Sequence, residues 1–167
     1  MKRFFLSAVM LLMLSLIVNA QIKTSRQYIP IDIDIKVKRC VVSGAQGYID
    51  LVFTNHTGAF VKDVMVQSSE TCLSKNNETI VYDDEGNVYR YTYKGGIYNI
   101  IFGGESGQYN MVNLPEDVPV KMRIELENVS EYATEFTMLN IAFRNISSHY
   151  YGVGSVTFRN IPITRVE

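Results

Sequence analysis

Three adjacent acids, Asp83, Asp84 and Glu85, are the residues of this 167-residue chain most suggestive of metal chemistry. Carboxylate oxygens are the ligands calcium prefers. An EF-hand register would need an acid five residues before Gly86, and that position is Val81. Neighbouring side chains in an extended segment also point in alternating directions, so three consecutive acids converge only around a sharp turn. Solvated turn acids are the favoured reading. Weak calcium binding at Asp83, Asp84 and Glu85 stays open, and no other cofactor is expected.

Catalytic patterns are sparse. His56 and His149 each sit in a turn-like context. No G-x-S-x-G elbow occurs, and Gly104-Glu105-Ser106-Gly107 has the wrong spacing for one. Cys-His catalysis would need a free cysteine. A glycosidase-type pair of carboxylates is conceivable among seventeen acids, but nothing singles out two of them. Gly95, Gly96, Gly103, Gly104 and Gly107 open no helix and form no phosphate loop. A non-catalytic chain is expected, with a secreted hydrolase using paired carboxylates as an outlying alternative.

Aromatic residues offer the most distinctive surface. Six of the eleven tyrosines, Tyr82, Tyr89, Tyr91, Tyr93, Tyr98 and Tyr109, fall between positions 82 and 109. In a strand Tyr89, Tyr91 and Tyr93 share one face, opposite Val88, Arg90 and Thr92. With Tyr98, Phe102 and Tyr109 they make a candidate binding surface for a protein or glycan partner. The plainer reading is a row of tyrosines packing across strands with wet hydroxyls. The absence of Trp weakens the sugar option. Burial of all three alternating tyrosines would remove the support for a binding strip.

Cys40 and Cys72 are the two cysteines. In PIDIDIKVKRC, Ile31, Ile33, Ile35 and Val37 share one face while Asp32, Asp34, Lys36 and Lys38 share the other. Unless a bulge intervenes, Cys40 belongs to the polar face. An exposed thiol is uncommon outside cells, so a Cys40–Cys72 disulfide is expected over two unpaired thiols.

That compartment rests on the N-terminus. Lys2 and Arg3 precede the apolar run Phe4–Val18, and Val18-Asn19-Ala20 resembles a signal peptidase site. Residues 1–20 are expected to be a cleavable signal, leaving no membrane anchor. Gln21 stands where a lipoprotein would need Cys, so a periplasmic or extracellular protein without a lipid anchor is expected. Removing Lys2 and Arg3 leaves 14 basic and 17 acidic residues, a balance of −3. That balance argues against nucleic acid as a partner. Four N-x-[ST] triplets, at Asn55, Asn77, Asn128 and Asn145, fit the chance output of a turn-rich composition.

Period-two alternation dominates the chain beyond the N-terminal apolar run. Ile31–Lys38, Tyr48–Thr54, Phe60–Val66, Ile80–Tyr82, Val88–Tyr93, Ile97–Phe102, Lys121–Glu127, Phe136–Phe143 and Gly154–Ile161 read as strands. Ser130–Thr134 is at most a single capped turn. The expected organisation is a loose leader over 21–29 and one all-β domain over 30–167. Its architecture is expected to be a single immunoglobulin-like β-sandwich of roughly seven to ten antiparallel strands.

Three stretches carry a resemblance. They are Val52-Phe53-Thr54-Asn55-His56-Thr57, Asp84-Glu85-Gly86-Asn87-Val88-Tyr89, and the Pro-containing loop and strand from Leu114 to Glu127. Over roughly residues 30–145 the chain resembles exported bacterial immunoglobulin-like proteins, including the immunoprotective extracellular protein family. The resemblance implies an immunoglobulin-like sandwich and a family whose members mostly lack an assigned activity. It carries over no catalytic residues. The combined expectation is a recognition module of the bacterial cell envelope. The alternative is a structural or assembly subunit that pairs through a sheet edge.

Overall fold

The computed structural model describes residues 21–67, 78–91, 96–106, 111–146 and 153–167. These residues contain no helix and thirteen strands. In chain order they are β1 (Lys23–Gln27), β2 (Ile33–Ser43), β3 (Gln46–Asn55), β4 (Val61–Val66) and β5 (Ile80–Tyr82). Then come β6 (Val88–Tyr91), β7 (Gly96–Phe102), β8 (Glu105–Ser106) and β9 (Met111–Leu114). The last four are β10 (Val120–Leu126), β11 (Glu135–Arg144), β12 (Val153–Pro162) and β13 (Thr164–Val166). The all-β class is as the alternation implies. The strand count exceeds the expected range because pieces of two to five residues are too short to show a period.

The strands hydrogen-bond in the order β1-β12-β11-β5-β6-β7-β10-β3-β2-β13. Pairing is antiparallel except for β6 with β7 and β13 with β2. The sheet is strongly curled, as three phenylalanines show. From β11 to β3 is five strand steps, about 24 Å if the sheet were flat. Yet the Phe53 ring on β3 lies 5.5 Å from the Phe143 ring on β11, edge to face. Phe102 on β7 completes the group, with its ring 4.8 Å from that of Phe53. β4 pairs with both β11 and β9, and Asn55 bridges to Glu116 just past β9. All three rings are buried, together with Ile49, Leu51, Ile97, Ile124, Leu139 and Val156.

The leader is not loose. Lys23–Gln27 lacks any apolar alternation, yet it forms β1, in antiparallel register with Ser155–Arg159 of β12. Backbone pairing and the Arg26 guanidinium, which donates to the carbonyl of Ile33 at 2.6 Å, hold it there.

Cys40 is also placed differently from the parity argument. The β2–β3 register slips between Val37 and Arg39, which is a β-bulge. One extra residue on β2 reverses the parity, so Ile33, Ile35, Cys40 and Val42 all face the core. Cys40 is a free, buried thiol, so the expected bridge is not formed, and Cys72 lies outside the described residues. Burial pushes the Cys40 thiol up to about 12. Only the thiolate is nucleophilic, so folded protein should resist thiol reagents. In a Cys72→Ser background, Ellman's reagent at mildly alkaline pH should label Cys40 only once guanidinium has unfolded the chain. Prompt labelling of native protein would contradict the buried position.

Candidate functional site

The acidic turn is a built structural element. Asp83 is buried at the end of β5, and its Oδ1 accepts from the backbone N–H of Glu85 at 3.1 Å and of Asn87 at 2.8 Å. Its Oδ2 accepts from Asn87 Nδ2 at 2.9 Å and from the Tyr89 hydroxyl at 2.7 Å. Gly86 takes φ of 85°, where a Cβ would be strained. Asp84 turns the other way, with Oδ2 accepting from the Thr134 hydroxyl at 2.5 Å and Oδ1 from the Thr134 N–H at 3.0 Å. Burial raises the Asp84 pKa, but the hydrogen bonds from Thr134 outweigh it and hold the carboxyl below its ordinary value.

Asp83, Asp84 and Glu85 therefore do not converge as calcium ligands, because Asp83 and Asp84 are committed to different partners. Among the described residues no group of three or more His, Cys, Asp or Glu side chains could hold a metal ion.

The tyrosine strip is corrected in the same place. Tyr89 and Tyr91 do share a face, but that face points inward, while Val88 and Arg90 are exposed. Tyr89 is buried, its ring edge-to-face with Phe136 at 5.9 Å. Its hydroxyl donates to Asp83 and accepts from the Ser130 N–H at 3.3 Å, which satisfies the polar tip of a core residue. Burial, with the Asp83 carboxylate beside it, pushes the Tyr89 phenol up to about 12. Tyr91 is partly buried against the core, and Phe102 is fully within it. Tyr98 alone of the described candidates is exposed. Tyr93 and Tyr109 lie outside the described residues.

A different surface emerges from the register of β2, β3, β10 and β7. Arg39 faces Asp50, Asp50 faces Arg123, and Arg123 faces Ile101. One row nearer the end of β3, Val52 stands opposite Lys121. The β2 bulge adds Lys38 next to Arg39, leaving two consecutive cations exposed. Together Lys38, Arg39, Lys121 and Arg123 surround a concavity of about 460 Å³ that Val52 and Ile101 also line.

Asp50 pre-orients the two guanidiniums. Arg123 donates from Nε to Oδ1 at 2.7 Å and from Nη2 to Oδ2 at 3.0 Å, while Arg39 donates from Nε to Oδ2 at 2.6 Å. Burial raises the Asp50 pKa, but the hydrogen bonds from Arg123 and then Arg39 outweigh it, leaving the carboxyl below its usual range. The same hydrogen bond raises the Arg123 pKa. Tyr48 is spanned by both cations, with the guanidinium carbon of Arg123 4.2 Å and that of Arg39 5.1 Å from the ring centroid. Lys38 and Lys121 have no ion-pair partner among the described residues. Asp50 thus offsets one of four positive charges in the concavity.

Sequence reasoning places Lys38, Lys121 and Arg123 on polar strand faces without joining them. The signal is present as two basic runs, but joining them needs the β2–β3–β10 pairing. Arg39 can be found only through the bulge.

Other polar groups are spoken for. Asn55 is buried, with Nδ2 donating to Ala59 O at 2.7 Å and Leu114 O at 2.9 Å, so its amide staples a turn to β9 rather than waiting for a glycan. His56 Nδ1 lies 2.5 Å from Asp117 Oδ1 in an exposed pair. No hydroxyl or thiol among the described residues hydrogen-bonds its other ring nitrogen, so the described residues assemble no triad around it. His149 lies outside the described residues.

No family model matches the chain, and neither the curated proteins nor the solved structures contain a match.

Proposed function

We propose that this chain is an exported, non-catalytic recognition module of the bacterial cell envelope. Its partner is engaged on the outer face of β7, β10, β3 and β2. The observation that carries this reading is the basic concavity. Two lysines without ion-pair partners among the described residues, and an arginine pair held in place by Asp50, concentrate positive charge in a chain that is acidic overall. Local charge of one sign in a concave site attracts and orients a partner of the other sign. The likeness to exported immunoglobulin-like proteins belongs to the same reading.

The edge-pairing alternative draws less support. β1 is a five-residue end strand bearing Lys23 and Arg26, and β13 has three residues. Short charged edges are how sheets avoid further pairing. The Arg165 guanidinium of β13 is moreover tied back to the carbonyls of Ser130 and Ala133.

Site-specific photo-crosslinking in the native envelope distinguishes the two. A benzophenone side chain at Val52, in the concavity, should give discrete adducts that are lost when Lys38 and Lys121 are both changed to Glu. The same group at Ser25 on β1 should give none. Adducts from Ser25 alone would favour edge assembly and sink the proposal.

A further inference from the structure

The outer face of β10 carries a charge order that is its own complement. Lys121, Arg123 and Glu125 point outward and Glu127 continues the alternation just past the strand, while Met122, Ile124 and Leu126 are buried. Two cations are thus followed by two anions, at steps of about 6.7 Å along one line. The neighbouring strands extend both halves. Lys38 and Arg39 on β2 lie at the basic end, where Asp50 is the one acid lining the concavity. Toward the other end, Glu125 stands in a row with Val41, Tyr48 and Asn99, and it accepts from Asn99 Nδ2 at 2.9 Å. Cations on the flanking strands are engaged elsewhere, Arg90 of β6 with Glu78 and Arg165 of β13 with the carbonyls of Ser130 and Ala133.

Lys121 and Glu127, the outermost of the four, have no ion-pair partner among the described residues. They stand about 20 Å apart along the strand, too far to meet within one chain. A line ordered plus, plus, minus, minus meets an antiparallel copy of itself with every cation facing an anion. A parallel copy would set plus on plus, and like charges pressed together reject that arrangement. A two-fold axis lying across the strands at Ile124 would bring Lys121 to Glu127 of the partner subunit and Arg123 to Glu125 of the partner subunit. Each contact then occurs twice, as an isologous interface requires. Val41, Tyr48, Val52 and Ile101, all half-buried in the single chain, supply apolar area on the same face.

We propose that the partner engaged on this face is a second copy of the chain. The two sheets pack face to face, with their β10 strands antiparallel about a two-fold axis at Ile124. This inference rests on the recognition face proposed above and names its partner. Sheets in face-to-face contact keep their strand directions within about 30°, so the antiparallel alignment holds across neighbouring strands. Four strands and four outward rows make a patch of about 19 Å by 20 Å. That is at the small end for specific interfaces, so the dimer is weak and reversible.

Sedimentation equilibrium of the protein purified from cells expressing the full chain, from about 10 μM to about 1 mM, tests this. At low salt it should show a monomer–dimer equilibrium that weakens as salt rises. Lys121→Glu alone, or Glu127→Lys alone, sets like charges together at both symmetry-related contacts and should weaken the dimer about tenfold or more. Mixing the two variants restores opposite charges at both contacts, so the mixture should associate about as tightly as the wild type. Lys121 is exposed and Glu127 partly so, and each variant should keep its melting temperature. Wild-type protein that stays monomeric at low salt overturns the inference. So does a dimer indifferent to both substitutions, or one that mixing fails to restore. If the protein is monomeric yet a benzophenone at Val52 captures a different molecule, self-pairing falls while the recognition role stands. If Val52 also gives no adduct, the recognition role falls with it.

Discussion

Replacing Phe53 with alanine is expected to destabilise the fold by about 3–5 kcal/mol, a large share of the margin of a domain this size. Phe53 is fully buried, and its ring touches Phe102 and Phe143. Those contacts join β3 to β11 across the interior of the curled sheet rather than through neighbouring strands. Truncation would remove apolar surface where backbone pairing cannot draw the two sides together, so the cavity would relax poorly. Phe53→Leu should cost about 1–2 kcal/mol, because most of the volume remains. Tyr132→Ala, at an exposed position, should change stability by under about 0.5 kcal/mol. Urea unfolding of the three variants measures these differences. A Phe53→Ala cost no larger than that of Tyr132→Ala would mean the sheet does not close around this ring.

The strands that are long and half-buried are legible in the sequence, and the basic concavity is not. β10 reads Met122, Ile124, Leu126 against Lys121, Arg123, Glu125, and each of the three apolar residues is buried. In β2 the same rule holds up to Val37 and then fails, because one bulged residue changes the face of everything after it. Nothing local marks that slip: a free Cys behaves as a small apolar residue, but its presence alone sets no register. The bulge both buries Cys40 and sets Lys38 beside Arg39, so one cause defeats the disulfide expectation and hides the basic concavity. The pairing of β2 with β10 through β3 joins Arg39 to Arg123, 123 − 39 = 84 positions apart, beyond any pattern of spacing. For Tyr89, by contrast, alternation identifies the correct neighbours on its strand but the wrong side of the sheet. Tyrosine is enriched in strands whether its ring faces water or core, and only a partner for its hydroxyl decides between them.

That partner makes the second large effect. Asp83→Ala is expected to cost about 3–4 kcal/mol, since one buried carboxylate accepts four hydrogen bonds and closes the β5–β6 turn. The Glu85 and Asn87 amides can turn to water when it is lost, but the Tyr89 hydroxyl is buried and cannot. Asp83→Asn should cost less, about 1–3 kcal/mol: the amide keeps one acceptor and the shape, and turns its NH₂ against a donor. Tyr89→Phe removes only the hydroxyl and leaves the ring on Phe136. If the carboxylate and the phenol support each other, the double variant Asp83→Ala with Tyr89→Phe should cost less than the sum of the singles by about 1–2 kcal/mol. Additive losses would show that Asp83 acts on the turn alone. A rise in stability of the Asp83 variants would instead mean that this carboxylate is buried for a ligand rather than for the fold. Calcium supplies the sharpest discriminator between those outcomes. An Asp83 occupied by its four donors should leave the melting temperature of the wild-type chain insensitive to calcium, and a calcium-dependent rise abolished by Asp83→Asn would overturn the structural role.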